Sequence, residues 1–63
     1  MKNNIKKLRS QAEMKQETLA KLIGMSRPNL SLIERGKIVP NGITMLKIAG
    51  ALERRVEEIF LLQ

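Results

Sequence analysis

The chain lacks the side chains on which most enzyme chemistry depends. It has no His, Cys, Asp, Tyr or Trp, so its serines have no neutral base to activate them. The six acidic residues are all Glu and show no pairing suited to acid and base roles. The absence of cysteine excludes disulfides and thiolate metal sites. We therefore expect no enzyme activity, no catalytic residue, no metal and no cofactor.

Long apolar runs and glycine-rich loops are also missing. No stretch is long enough for a signal peptide or a membrane span, so we expect a cytoplasmic protein without a membrane partner. Gly24 and Gly36 lie twelve residues apart at predicted helix ends and cannot form a phosphate-binding loop. The sequence indicates no small-molecule ligand.

Positive charge is what the chain has in excess. Twelve Lys and Arg against six Glu leave a net charge of +6, spread along the chain and not gathered in a tail. This sign is expected of a protein that approaches a polyanion. Residues 1–63 are interpreted as one domain, of a size at which folding buries only about 60% of the unfolded surface. A partner subunit would add stability.

The most informative segment is residues 16–36, QETLAKLIGMSRPNLSLIERG. Leu19, Leu22 and Ile23 lie at the i, i+3, i+4 spacing that gathers apolar side chains on one helical face. Ala20 supplies a small side chain where two helices must cross closely. The segment therefore begins with a short amphipathic helix.

A tight turn and a second helix follow. Gly24 suits the positive φ that a residue just past a helix end adopts. Met25 can be buried in the turn, and Ser26 can cap the next helix through its hydroxyl. Pro28 falls in the first turn, where its missing N–H costs nothing. Two helices joined in this way predict a helix-turn-helix.

The second helix has an outer face without acidic residues. At about 100° per residue, Leu30 and Ile33 fall on the inner side. The outer side carries two arginines, a hydroxyl and an exposed leucine. These groups are better matched to contact with base edges and phosphates than to a face that meets only solvent. The outer residues are Arg27, Pro28, Ser31, Leu32 and Arg35.

The whole chain predicts five helices, near residues 4–12, 16–23, 27–35, 42–52 and 56–62. Asn41 can cap the fourth helix, and Glu57 and Glu58 complement the dipole of the fifth. The fold class is therefore all-α. Outside the motif, the predicted core residues are Ile5, Leu8, Ala12, Met45, Leu46, Ile48, Ala49, Leu52, Val56, Ile59 and Phe60.

The motif resembles the helix-turn-helix of the Cro/phage-repressor family of bacterial regulators, often called the XRE family. The family pattern is Q-x-x-L-A-x-x-(apolar)-G-x-S, then a helix ending I-E-x-G, then a short loop to proline. IKKLRSQAEM resembles the family's first helix, and ITMLKIAGALERRVEEIF its last two, so the resemblance covers Ile5 to Phe60. The residues in step with the pattern are Gln16, Leu19, Ala20, Gly24, Ser26, Ile33, Glu34, Gly36 and Pro40.

The resemblance implies a five-helix, lambda-repressor-like domain that binds double-stranded DNA with residues 27–35 in the major groove. It further implies a homodimer on a pseudo-palindromic operator, in a bacterial or phage setting. The simplest such regulator is a repressor that occludes a promoter.

Five residues of the second helix are candidates for contact with bases. Arg27 can form two hydrogen bonds with guanine or bind a phosphate, and Leu32 can contact a thymine methyl group. Pro28 has no side-chain donor and can supply only van der Waals contact. Asn29 and Ser31 can hydrogen bond to a base or a phosphate.

Other residues are candidates for phosphate contact. The resemblance implies that Gln16 touches a phosphate and braces the recognition helix, and Lys15 precedes it at a helix N-terminus. Lys6, Lys7, Lys21 and Lys47 are interpreted as solubilising charges. The full phosphate-contacting set is Lys15, Gln16, Ser26, Arg35, Lys37 and Asn41.

Two further sets have structural interpretations. In the resembled family Glu34 pairs with an arginine of the first helix, a place that Arg9 holds here. Phe60, Leu61 and Leu62 form the candidate dimer interface, because the two leucines follow the last core residue with nothing left to cover them. A neighbouring pair, Arg54 and Arg55, could face a two-fold axis or reach flanking phosphates.

Three alternatives differ in partner or context. A protein-interaction module on the same fold would dock through Leu32, Leu61 and Leu62. A restriction-modification controller or an antitoxin shares the DNA chemistry and differs in its neighbouring gene. An amphipathic membrane-surface peptide is disfavoured, because glycine and proline interrupt the helical pattern at turns.

Overall fold

A computed structural model of the chain describes residues 1–60, and these fold as an all-α structure. The predicted starts and ends of the first four helices agree with it to within one residue. The fifth helix is shorter than predicted, because Phe60 adopts an extended backbone with φ −107° and ψ 116°. The helices are α1 Ile5–Gln11, α2 Gln16–Leu22, α3 Arg27–Glu34, α4 Gly42–Leu52 and α5 Val56–Ile59.

The turn between α2 and α3 follows the predicted chemistry. Gly24 has φ +68°, and the Met25 N–H donates to the Ala20 carbonyl at 2.9 Å, which closes the end of α2. The Ser26 hydroxyl accepts a hydrogen bond from the Asn29 N–H at 3.3 Å and so caps α3. Ala20 is 3% exposed where the two helices meet. The local sequence therefore sets the angle between α2 and α3.

One apolar core joins all five helices. Most of the predicted residues belong to it, but Ala12, Leu22 and Leu46 are exposed. On α2, Leu19, Ala20 and Ile23 form the buried face. At about 100° per residue, Leu22 lies roughly 110° around the helix from the centre of this buried face. On α4 the residues at the same spacing, Ile48, Ala49 and Leu52, are buried, and Leu46 is exposed. The fully buried large side chains are Ile5, Leu19, Leu30, Ile33, Ile48 and Ile59.

The two ends of the described chain meet beside α3. Asn3 forms an isolated antiparallel β-bridge with Phe60, and the Asn4 N–H donates to the Ile59 carbonyl at 2.7 Å. The Asn3 side-chain amide donates to the Ile33 carbonyl at 2.8 Å, near the end of α3. The first residues thus connect α3 to α5. None of the helices within residues 1–60 is long and apolar enough to cross a membrane.

Arg54 and Glu58 stabilise the start of α5. The Glu58 carboxylate accepts from the Arg55 N–H at 3.1 Å and from Arg54 Nη1 at 3.3 Å. The hydrogen bond from the Arg55 N–H is the main cause of a lowered pKa of Glu58. Arg54 also lies 3.5 Å from the Gln11 side-chain oxygen, so it links α5 to the end of α1.

A buried ion pair joins α1 to α3. Arg9 donates to both carboxylate oxygens of Glu34, from Nε at 2.7 Å and from Nη2 at 3.0 Å. The two side chains are only 10% and 4% exposed. Arg9 Nη1 also donates to the Met14 carbonyl at 2.9 Å. Because both charged groups are well partnered, the pair can lie in the interior.

Glu34→Ala should lower the free energy of unfolding by about 3 to 5 kcal/mol, because it leaves Arg9 buried without its partner. Urea denaturation followed by circular dichroism measures the change. Glu17→Ala is the matched control, since its pair with Lys21 is exposed on α2 and contributes at most about 1 kcal/mol. Equal losses in the two variants would contradict this role for the buried pair.

Candidate nucleic-acid interface

The outer face of α3 is open to solvent while its inner face is anchored. Leu30 and Ile33 are 0% and 1% exposed and fix the helix against the core. Arg27, Pro28 and Asn29, in the first turn, are exposed. The other residues proposed to touch DNA on this helix are half-buried Ser31, half-buried Leu32 and, just past its end, exposed Arg35. Leu32 is thus less exposed than the sequence suggested.

Gln16 connects the outer face of α3 to the buried ion pair. Its Nε2 donates to Glu34 Oε1 at 3.2 Å, and its Oε1 accepts from Arg27 Nε at 3.2 Å. Together with Arg9, these residues form one continuous hydrogen-bonded chain from the interior to the surface. Because Arg27 uses Nε inside this chain, its two Nη groups are left for other acceptors, such as a base or a phosphate.

Arg35 is held along the end of α3. Its Nε lies 3.4 Å from the Ser31 carbonyl, one turn earlier in the chain. The guanidinium therefore remains beside the outer face and keeps its Nη groups for an anion. Arg27, Ser31 and Arg35 are spaced four residues apart, so they lie along the same side of the helix.

The remaining candidates for phosphate contact lie around two helix starts. Lys15 is the N-cap residue of α2, is exposed, and makes no capping hydrogen bond with its side chain. Asn41 caps α4 by accepting from the Thr44 N–H at 2.8 Å. Lys37 is exposed in the connection between α3 and α4. These residues therefore lie at the starts of α2 and α4 and in the connection between α3 and α4.

Lys6 was interpreted from the sequence as a solubilising charge, but the structure places it at this surface. It lines a cleft with Arg9, Gln16 and Arg27. No local signal in the sequence marks it, because Lys6 and Lys7 are neighbours of identical type on α1. Only the packing of α1 beside α3 distinguishes them.

The proposed dimer interface needs a correction. Phe60 is 5% exposed and belongs to the core of its own chain, and its backbone is paired with Asn3 in the isolated bridge. Leu61 and Leu62 lie outside the described residues. Large apolar side chains that are exposed occur elsewhere. Ile38, Val39 and Ile43 are not singled out by the sequence, whereas Leu22 and Leu46 were expected to be buried.

Comparisons with known proteins agree with this geometry. The chain is 36% identical over 63 residues to YgzD, an uncharacterised HTH-type transcriptional regulator of Bacillus subtilis strain 168, covering 100% of this chain and 96% of the relative. It is 39% identical over 61 residues to the uncharacterised HTH-type transcriptional regulator MJ0272 of Methanocaldococcus jannaschii, covering 97% and 92%.

A solved structure shows the same fold. The crystal structure of the restriction-modification controller protein C.AhdI from Aeromonas hydrophila is similar with a TM-score of 0.82 and 36% identity. The match covers 89% of this chain and 85% of that one. The arrangement of five helices is therefore shared by a protein of related sequence.

A helix-turn-helix family profile matches residues 5–59, which is most of the chain. The chain therefore belongs to the Cro/C1-type, or XRE, family of helix-turn-helix transcriptional regulators. This is a family of DNA-binding regulators and not of enzymes.

Ser26→Ala should lower the free energy of unfolding by about 1 kcal/mol, because the Asn29 N–H loses its capping acceptor. Thermal and urea denaturation measure the loss. Ser10→Ala is the control: Ser10 is exposed within α1, where alanine is the better helix former, so stability should stay the same or rise slightly. A loss as large in Ser10→Ala would argue against the capping role.

Proposed function

We propose that the chain is a sequence-specific transcriptional regulator that binds double-stranded DNA as a homodimer, with α3 in the major groove. The observation that carries this proposal is the anchored α3, whose exposed first turn and basic outer edge lack acidic residues. Membership in a family of DNA-binding regulators supports it. A repressor that occludes a promoter is the simplest form, since it needs no ligand pocket.

Base readout is assigned to the outer face of α3. Arg27 is proposed to contact guanine through its Nη groups, oriented by the hydrogen bond from Nε to Gln16. Leu32 is proposed to contact a thymine methyl group with the part of its side chain that stays exposed. Asn29 and Ser31 can supply hydrogen bonds, and Pro28 supplies van der Waals contact only.

Phosphate contacts are proposed on both sides of α3. Lys15 and Gln16 stand at the N-terminus of α2, where amide groups and positive charge favour an anion. Lys37 and Asn41 lie in the connection to α4, so they would meet the backbone beyond the other end of α3. Ser26 and Arg35 complete the set, at the two ends of α3.

A symmetric dimer would place two copies of α3 in successive major grooves, about 34 Å apart. A chain of 63 residues offers few base contacts of its own, so two copies would raise specificity on a pseudo-palindromic operator. The proposed interface is the C-terminal segment that contains Leu61 and Leu62, without Phe60.

The similarity to a restriction-modification controller supports a regulatory role of that general kind. A controller and an antitoxin would use the same DNA chemistry. The gene beside this one separates them: a restriction enzyme or methyltransferase indicates a controller, and a toxin indicates an antitoxin.

Selection of bound sequences from random duplex DNA tests the proposal. We expect an enriched motif with two related half-sites, and a binding constant that falls with salt at a log-log slope near −0.9 for each phosphate contacted. Sedimentation of the complex gives the number of chains on one duplex. A folded protein that binds no duplex at low salt would refute the proposal. A salt-insensitive apolar contact with a protein would favour the interaction-module alternative.

Arg27→Ala should weaken operator binding by roughly 1 to 3 kcal/mol and relax the preference at one base pair, because a bidentate contact is lost. Competition with single-base operator variants measures both effects. Lys21→Ala, on the exposed side of α2, is the control and should leave the preference unchanged. A uniform loss over all sequences would show that Arg27 contacts a phosphate and not a base.

A further inference from the structure

A cleft of about 340 Å³ opens between α1, α2 and α3, beside the outer face of the recognition helix. Three helices contribute to it, so no single sequence segment reveals it. Exposed side chains form its entrance, and the Arg9–Glu34 pair lies at its base. Its lining residues are Lys6, Arg9, Gln16, Arg27, Ser31, Glu34 and Arg35.

The charge of this cleft is strongly unbalanced. Four of its lining residues are cations, whereas Glu34 is the one acid that lines it within residues 1–60. Both oxygens of that carboxylate already accept hydrogen bonds, from Arg9 and from Gln16. The acid therefore neutralises the base of the cleft and leaves the cations at its entrance unbalanced.

The hydrogen-bonding capacity that remains consists mostly of donors. Arg35 donates through Nε to the Ser31 carbonyl and keeps its Nη groups. Arg27 donates through Nε to Gln16, and a bidentate guanine contact would leave two of its four Nη N–H bonds for a phosphate. Lys6 adds an ammonium group from α1, and Ser31 adds a hydroxyl. A tetrahedral oxyanion, with several acceptor oxygens and negative charge, is the ligand that such donors match.

We propose that this cleft binds a phosphate group of the DNA backbone and that Lys6 contacts it from α1. The proposal rests on the proposed DNA-binding function, because the cleft borders the face of α3 that would enter the groove. DNA is favoured over free phosphate as the source, since Arg27, Ser31 and Arg35 belong both to the cleft and to that face. The interface then extends from the helix-turn-helix onto α1.

Lys7 provides a matched control for Lys6. The two residues are adjacent on α1, both are exposed, and they have the same charge and helix propensity. Lys7 does not line the cleft. Substituting either by glutamine removes one positive charge from the same helix, so a difference between the variants reports position and not net charge.

The first experiment measures binding of a selected operator by Lys6→Gln and Lys7→Gln across a range of salt concentrations. Losing one phosphate contact should reduce the slope of log K against log salt by about 0.9, and weaken binding roughly eight-fold at 0.1 M salt. Lys7→Gln should keep the wild-type slope, and Lys6→Arg should restore it. Urea midpoints verify that all variants are equally folded. Identical slopes for Lys6→Gln and Lys7→Gln would overturn the proposal.

A second experiment separates the two sources of phosphate. Backbone amide shifts of ¹⁵N-labelled protein are recorded with inorganic phosphate and with chloride at equal ionic strength. Phosphate-specific shifts at Ser31 and its neighbours that vanish in Lys6→Gln support an oxyanion site in the cleft even if the wild type binds no duplex. That second result would refute the proposed function and, with it, DNA as the source of the phosphate. The opposite outcome is a wild type that binds its operator while neither the slope of log K against log salt nor these amide shifts change in Lys6→Gln. The cleft proposal then fails and the proposed function stands.

Discussion

The buried pair of Arg9 and Glu34 is the interaction on which the rest of the structure depends. It fastens α1 to the end of α3 through two hydrogen bonds, and it lies among side chains that exclude water. A buried charge is tolerated only when its partners are complete. The Gln16 side-chain amide donates a further hydrogen bond to the Glu34 carboxylate, and its oxygen accepts one from Arg27. The buried pair and the exposed arginine therefore belong to one hydrogen-bonded network. Stability and the proposed DNA contact therefore share residues.

The helix α3 is held from several directions while one side stays open. Apolar residues anchor its inner face, the Ser26 hydroxyl caps its start, and Asn3 binds its last turn at the Ile33 carbonyl. A helix of eight residues has little stability of its own, so these contacts supply the rigidity that the proposed groove recognition needs.

Sequence patterns predicted the elements well and the orientation of individual side chains less well. Gly24, Ser26 and Asn41 act through the next few residues of the chain, so their roles in turn and caps follow from local chemistry. Leu22 and Leu46 also fit an apolar pattern, yet both are exposed. The buried sector of each helix is narrower than its run of apolar residues, and only the neighbouring helices decide where that sector lies.

By itself the sequence determined the all-α class, the helix-turn-helix and the family, because these depend on the spacing of residues along the chain. Tertiary structure decided which groups from distant segments meet. It buried Phe60 in its own core, linked Gln16 to Glu34 and Arg27, and placed Lys6 rather than Lys7 beside α3. The physical reason is that hydrogen bonds and charges act over a few ångströms in space, whereas sequence records only distance along the backbone.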